Sequence, residues 1–528
     1  MADIMMKMPN IVLFYPRLGW MDTFVTDIPL SLIYVAHECQ KNGIEVRILD
    51  QRILGQEWSK ALCSAIDSET VLVGFSVMSG SPISHALNAT KVVKEFNPNI
   101  PIVWGGVHVT LCHESVIKDK HIDYIIRGLG SIPLYKLVRF LTNKGGSLEE
   151  IEGLGWKNNA NEICINSMPC EVSYAPLSEL CIDNIDLSRY MRFTYTEKVY
   201  AFFSSFGCPH KCRFCFAPIF WKDVKGRKWF PYAAKDVIEH ITEVVRRYNI
   251  GYLSLLDENF FLDLERSEEI FRGLLANDIH VRWGIRGARI DDLYRMDKKF
   301  LSLLDEIGVE QIMIGAESGS PRMLEIMRKN ISVEQIVEVN KKLSMFPKIK
   351  PSYNFISGIP GETVADMYQS VDLILQMMKD NHNASFSGMN QFIPFPGSEL
   401  YEKCKEYGYE EPLSLDDWAK VDTHYHRGMS PWLDRKTEDT LHSIQAALMF
   451  VDNKVARELL GESEDGSSRA NESRGMVVDF LYHLIIFCSK LYKPIARFRL
   501  RHHYFGMPID YKLIKFATVL MSRASMLV

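Results

Sequence analysis

The sequence predicts an α/β protein with an N-terminal doubly wound, Rossmann-like parallel sheet, a partial (β/α)6 TIM-like barrel and a helical C-terminal region. Three observations predict it. Short β-branched runs alternate with amphipathic stretches up to about residue 140, a second series of six strand-like runs begins near residue 198, and glycine or polar residues follow these runs directly. The 528 residues are 47% hydrophobic and 24% charged, an ordinary globular composition that excludes disorder, collagen and coiled coil as whole-chain readings. A formal net charge of -5 provides no global field for nucleic acid, so no nucleic-acid partner is expected.

In the first region, residues 1–145, Asn10–Tyr15 (NIVLFY) reads as a strand, 30–42 as a helix and 45–49 as the next strand. Strand-like runs at 71–76, 102–104 and Tyr124–Ile126 follow, with helical patterns at 83–95 and 111–118 between them. Ligands of such sheets bind beyond the carboxyl ends of the strands. Three of those ends are small or glycine-rich: Ser76 to Ser81, Gly105-Gly106-Val107-His108 and Gly128-Leu129-Gly130-Ser131. Residues 146–195 are polar with weak periodicity and read as a connecting segment.

The second region, 196–430, carries strand-like runs at 199–205, 252–256, 281–285, 311–315, 353–357 and 388–392, with helical patterns such as Ala234–Tyr248 and 332–343 between them. Barrel chemistry sits at the C-terminal ends of strands. Residues 431–528 read as helical, with a helix at 437–460 and a linker at 461–475. From Arg474 onward nine basic residues face two acidic ones, which predicts a solvated basic helix pair on the barrel or, alternatively, docking to a membrane surface or a partner. Eleven cysteines are few for a disulfide scaffold of this length, and the N-terminus lacks a signal-peptide pattern, so a reducing cytoplasmic setting is expected. The most apolar window, 476–488, contains Asp479 and His483 and is too short to span a bilayer.

The sharpest local feature is Gly207-Cys208-Pro209-His210-Lys211-Cys212-Arg213-Phe214-Cys215, three thiols spaced C-x3-C-x2-C just after a strand. Soft thiolates gathered this tightly select zinc or an iron-sulfur cluster. A structural zinc site closes with four protein ligands, and no second pair at finger spacing follows. Three thiolates on a [4Fe-4S] cube would leave one iron open.

With this loop and Phe214 before its last cysteine, the sequence resembles the radical S-adenosylmethionine (SAM) superfamily. Ile314-Gly315-Ala316-Glu317-Ser318-Gly319-Ser320 resembles the fourth-strand motif whose acidic residue meets SAM. Phe355-Ile356-Ser357-Gly358-Ile359-Pro360-Gly361-Glu362 resembles the fifth-strand segment near its adenine and ribose. The resemblance implies Cys208, Cys212 and Cys215 as cluster ligands, with Phe214, Asp257, Arg289, Glu317, Ser318, Gly358 and Glu362 around SAM. Read without it, Glu317 is a strand-end carboxylate open to an ion pair and Glu362 a helix cap, while Asp257 and Arg289 divide between structural and functional roles.

The first region resembles the cobalamin-binding domain fused ahead of the barrel in one branch of that superfamily. Gly74 to Gly80, Val103 to His108 and Ile122 to Gly128 carry the likeness. It implies Ser76, Ser79, Gly80, Gly105, Gly106, His108 and Gly128 as cobalamin contacts, with His108 either beside the corrin or in the core. Two departures stand out. The acidic pair usual in the glycine run near residue 128 is replaced by Leu129 and Ser131, and the Asp-x-His-x-x-Gly signature of an axial histidine is absent from this region. Asp422 to Gly428 comes near it in spelling with one residue too many. No histidine is therefore expected to replace the nucleotide tail on cobalt.

The resemblance implies SAM bound at the open iron, reductive cleavage to a 5'-deoxyadenosyl radical and methylation of an unactivated carbon of a small-molecule substrate, with electrons from a donor such as flavodoxin or ferredoxin. The alternatives are an anaerobic oxidative cyclase or ring-rearranging enzyme of the magnesium-protoporphyrin type, and a cobalamin sensor with an inactive barrel.

Overall fold

The computed structural model describes residues 8–19, 22, 27–190, 197–421, 430–451 and 491–506. The Asp422 to Gly428 spelling and the expected linker at 461–475 lie outside the described residues.

The first sheet comprises β1 (Asn10–Tyr15), β2 (Glu45–Asp50), β3 (Thr70–Ser76), β4 (Ile102–Gly105), β5 (Tyr124–Ile126), β6 (Leu154–Lys157) and β7 (Ile163–Ile165), in the order β2-β1-β3-β4-β5-β6-β7. The first five strands pair in parallel, with their hydrophobic runs buried on both faces as crossover helices require. Val12, Phe14, Val73, Phe75 and Trp104 pack on one face, while Ile11, Leu13, Leu72, Val103 and Ile126 pack on the other under helices Leu30–Lys41 and Ser131–Leu141. The connecting segment differs from expectation, because β6 and β7 extend this sheet as an antiparallel hairpin. Its polar run is the turn: the Asn158 side chain accepts from the backbone N–H of Ala160 and Glu162, and Asn161 adopts φ 61°. Strands of four and three residues show too little alternation to register as a pattern.

The second sheet is all parallel in the order β15-β14-β13-β12-β11-β8, formed by β8 (Lys198–Phe202), β11 (Ile250–Leu255), β12 (Arg282–Arg289), β13 (Val309–Glu317), β14 (Lys350–Ser357) and β15 (Ser385–Gln391). This is the expected six-stranded partial barrel. Between β8 and β11, the two-residue strands β9 (Ser205–Phe206) and β10 (Phe230–Pro231) pair antiparallel and clamp both ends of the segment that holds the three thiols.

The two sheets are tied together by a strap from beyond the barrel. Leu415, Trp418 and Val421 join the hydrophobic core of the first domain, and the Trp418 ring meets His108 edge-on at 5.5 Å. Helix Arg435–Val451 packs on β15, and residues 491–506 lie against the barrel through Ala496, Leu500 and Phe505. Among the described residues, no helix is long and apolar enough to cross a membrane.

Candidate active site

The cluster loop is held by contacts at both ends. Gly207, at φ 81°, passes so close to the Lys228 carbonyl that a Cβ would stand 2.5 Å from its oxygen, so only glycine fits the turn into Cys208. Just upstream, Asp257 at the end of β11 accepts from the Ser204 N–H at 2.6 Å, the Ser204 hydroxyl at 2.7 Å and the Ser205 hydroxyl at 2.5 Å. Arg266 donates to the carbonyls of Ser204 at 2.7 Å and Tyr232 at 2.9 Å. Asp257 is thereby engaged in fixing the chain that enters the loop.

Within the loop, burial pushes the Cys208 thiol up to about 11 and the Cys215 thiol up to about 12, and the neighbouring cysteines add to both shifts. The charge of Cys212 is among the causes of both shifts, so its sulfur lies near the other two. Such thiols ionise when a metal takes the proton's place. Among the described residues, no set of three or more His, Cys, Asp or Glu converges on a single-ion site. A cube that takes each thiolate on a different iron does not require that convergence. Arg289, at the end of β12, donates to Cys212 Sγ at 3.5 Å, to Asp291 Oδ1 at 2.9 Å and to the Lys329 carbonyl at 2.8 Å.

Glu317 ends β13 in a left-handed conformation, φ 66°, and its Oε1 accepts from Lys329 Nζ at 2.7 Å with both side chains buried. Lys329 Nζ stands 6.0 Å from the Phe214 ring centroid, which places this pair beside the cluster loop. Lys329 was not visible as a site residue in the sequence, because it sits on an ordinary helix exit with no motif around it. Glu258, next to Asp257, was equally missed. Its Oε1 accepts from Trp221 Nε1 at 3.3 Å, its Oε2 is buried without a hydrogen-bond partner, and burial raises its carboxyl to about 7.

Other expected residues are engaged within the protein. The Ser318 hydroxyl bonds Ser370 at 3.1 Å, tying β13 to helix Val364–Asp380. Glu362 accepts from the Ser357 hydroxyl at 2.9 Å and the Gly358 N–H, closing the turn after β14, while its Oε1 is buried without a partner. The Gly358 carbonyl accepts from Trp432 Nε1 at 2.7 Å.

A cleft with about 220 Å³ of space opens between the first sheet's carboxyl ends and the barrel. One part lies between the sheet and the two helices on that face, along Leu13, Gly74, Ser76, Gly105 and Gly106, and the side facing the barrel is lined by Tyr34 and Tyr174 together with Phe203, Phe206 and Phe220 of the barrel. Two of its lining glycines are required by close approaches within the protein itself. At Gly106 a Cβ would stand 2.7 Å from the Val77 carbonyl oxygen, and at Gly128 2.7 Å from Met168. Gly128 also lines a small side pocket of about 90 Å³ with Phe220, Trp221 and Val172, where the aromatics after the cluster loop form a wall.

Ser76, Gly105, Gly106 and Gly128 are thus brought to the cleft, but Ser79, Gly80 and His108 are not among its lining residues. Ser79 Oγ and His108 Nδ1 share a hydrogen bond of 3.1 Å, and His108 is fully buried on the face occupied by Trp418. Burial lowers its imidazole to about 4, so it is a neutral core side chain. Of the two roles the sequence left open for His108, the core position is the one observed.

Residues 203–374 match the family model of the radical SAM superfamily and residues 25–138 that of the B12 binding domain. The uncharacterized methyltransferase PH0819 of Pyrococcus horikoshii is 25% identical over 401 residues, covering 75% of this chain and 82% of that protein. The anaerobic magnesium-protoporphyrin IX monomethyl ester cyclase of Rubrivivax gelatinosus is 26% identical over 356 residues, covering 63% of this chain and 60% of the cyclase. The cobalamin-dependent S-adenosylmethionine radical enzyme OxsB, solved with aqua-cobalamin and SAM bound, superposes with TM-score 0.67 at 16% identity, over 98% of this chain and 80% of that one, a likeness of fold. The chain therefore carries a B12 binding domain match ahead of a radical SAM superfamily match, with relatives that include methyltransferases and the magnesium-protoporphyrin cyclase.

Proposed function

We propose that the protein is a cobalamin-dependent radical SAM methyltransferase that acts on an unactivated carbon of a small molecule. The observation that carries this reading is the cleft itself, whose glycine-edged floor belongs to the first sheet and whose aromatic side combines Tyr34 of helix Leu30–Lys41 and Tyr174 of the connecting segment with Phe203, Phe206 and Phe220 from the strand and loop that carry the three thiols. When bound, the cluster with SAM supplies a carbon-centred radical and the cobalamin supplies a methyl group.

Cys208, Cys212 and Cys215 hold the cluster, and Arg289 and Asp257 fix the loop that presents them. SAM brings an ammonium and a carboxylate. The unpartnered Oε2 of Glu258 and the Glu317–Lys329 pair offer complementary charges for them beside the loop. The slot along Gly74, Ser76, Gly105 and Gly106 would take the cobalamin's nucleotide tail, and among the described residues the cleft lining includes no histidine. Tyr34, Tyr174, Phe203 and Phe206 exclude water from the space between the two domains. A cytoplasmic flavodoxin or ferredoxin would supply the electrons.

The similarity to the magnesium-protoporphyrin cyclase favours oxidative cyclisation as a second reading. Counting labelled methyl transferred from SAM per deoxyadenosine released separates the two. Methylated product formed with deoxyadenosine supports methyl transfer, and deoxyadenosine without methylated product supports cyclisation.

A further inference from the structure

We propose that the C-terminal helix at residues 491–501 docks the enzyme on an anionic lipid surface. Its orientation is fixed from below. Ala496, Leu500 and Phe505 are buried in the barrel's core, and the His503 ring stacks on Tyr368 at 4.2 Å while its Nε2 meets Asp372 at 2.9 Å. Arg499 is buried among its own neighbours, bonding the Tyr504 carbonyl at 2.9 Å and the Tyr492 hydroxyl at 3.0 Å.

The face so held outward is apolar. Leu491 is 61% exposed, Ile495 54% and Phe498 57%, with Tyr504 54% exposed just beyond the helix. Positions 491, 495 and 498 follow the i, i+4, i+7 spacing and share an arc of about 60° at roughly 100° per residue. Single exposed apolar side chains are ordinary on a protein surface, but three large ones in line on a rigid helix mark an interaction face.

Charge selects the occupant. Lys493, Arg497 and Arg501 recur every fourth residue and form a second stripe between the buried face and the apolar one. A basic stripe alongside an apolar stripe matches the boundary between headgroups and acyl chains of an anionic bilayer leaflet, where each basic side chain adds attraction. A second copy of this chain would instead bring like charges together. The stretch from Arg474 to the C-terminus carries nine basic residues against two acidic ones, and eight of the nine lie from Lys490 onward. The contact proposed is peripheral; among the described residues no helix is long and apolar enough to cross a membrane.

The test is flotation of the full-length protein with vesicles of phosphatidylcholine alone and of phosphatidylcholine with about 30% phosphatidylglycerol, at low and high salt. The expected result is flotation with the anionic vesicles only, weakened by salt. Ile495→Ser with Phe498→Ser, and separately Arg497→Glu with Arg501→Glu, are each expected to reduce partitioning by about tenfold or more without lowering the unfolding temperature. Equal recovery with both vesicle types, no flotation at all, or flotation that ignores both double variants overturns the proposal. So does a fall in unfolding temperature without any lipid binding, which would show that the chain covers this face itself, or concentration-dependent dimerisation abolished by the same variants.

Discussion

Glu317 Oε1 and Lys329 Nζ form a buried ion pair at 2.7 Å beside the cluster loop. Removing one member strands a charge in low dielectric, at a cost of roughly 3 to 5 kcal/mol. Glu317→Leu is therefore expected to destabilise the protein by about that amount in denaturant unfolding, and Glu317→Leu with Lys329→Met to recover much of the loss. Both variants should lose SAM binding. A single variant as stable as the wild type would show that the pair is not buried in solution.

Arg289 reaches Cys212, Asp291 and the Lys329 carbonyl with one planar fork, which lysine cannot reproduce. Groups that orient metal ligands typically contribute about 10- to 100-fold in metal affinity. Arg289→Lys is expected to weaken iron retention within that range when the reconstituted protein is challenged with a chelator. Unchanged retention would confine Arg289 to packing.

The cleft predicts a substitution that blocks one cofactor and spares the other. A Cβ at Gly105 would meet only the Ile126 carbonyl oxygen, at 3.5 Å, so a side chain there has backbone room yet projects into the slot. Gly105→Leu should reduce cobalamin uptake by at least about tenfold, by absorbance after incubation with hydroxocobalamin, while iron content stays normal. Normal cobalamin uptake would place the nucleotide tail elsewhere.

Glu362 gives a pH dependence with a defined sign. Burial raises its carboxyl to about 7 in the folded chain, against 4.5 ordinarily. The folded state therefore holds this proton more tightly than the unfolded state. The resulting stabilisation is complete below about 4.5 and declines as pH rises to about 7. The difference in unfolding free energy between wild type and Glu362→Gln should change across that window and be flat above it. A flat difference throughout would mean the carboxyl ionises normally.

Both halves of the fold were legible because the strand runs end in glycine or polar residues and the long helix runs have a 3.6-residue period, whereas the helix expected at 111–118 is two short ones, Val107–Leu111 and His113–Ile117. The hairpin at 154–165 was not, since its strands are too short to show alternation. The three thiols could be read from spacing alone. The division of labour between Asp257 and Glu258 could not, because only the fold reveals that Ser204 and Ser205 occupy the first carboxylate and leave an oxygen of the second free. His108 likewise follows a glycine pair that does reach the cleft, yet its ring turns to the opposite face, where Trp418 arrives from three hundred residues downstream.

That position carries its own prediction. His108→Ala should destabilise the protein by about 2 to 4 kcal/mol through the void against Trp418. It should leave the electron paramagnetic resonance spectrum of bound cob(II)alamin unchanged, free of axial nitrogen splitting from the protein. A splitting present in wild type and lost in the variant would place His108 on cobalt.

The most direct measurement is iron and sulfide per chain after anaerobic reconstitution, paired with SAM cleavage under a strong reductant, in wild type and in Cys212→Ala. The account predicts about four of each per wild-type chain with deoxyadenosine released, and loss of both in the variant. Bound zinc in place of iron, or undiminished cleavage by the variant, would contradict it.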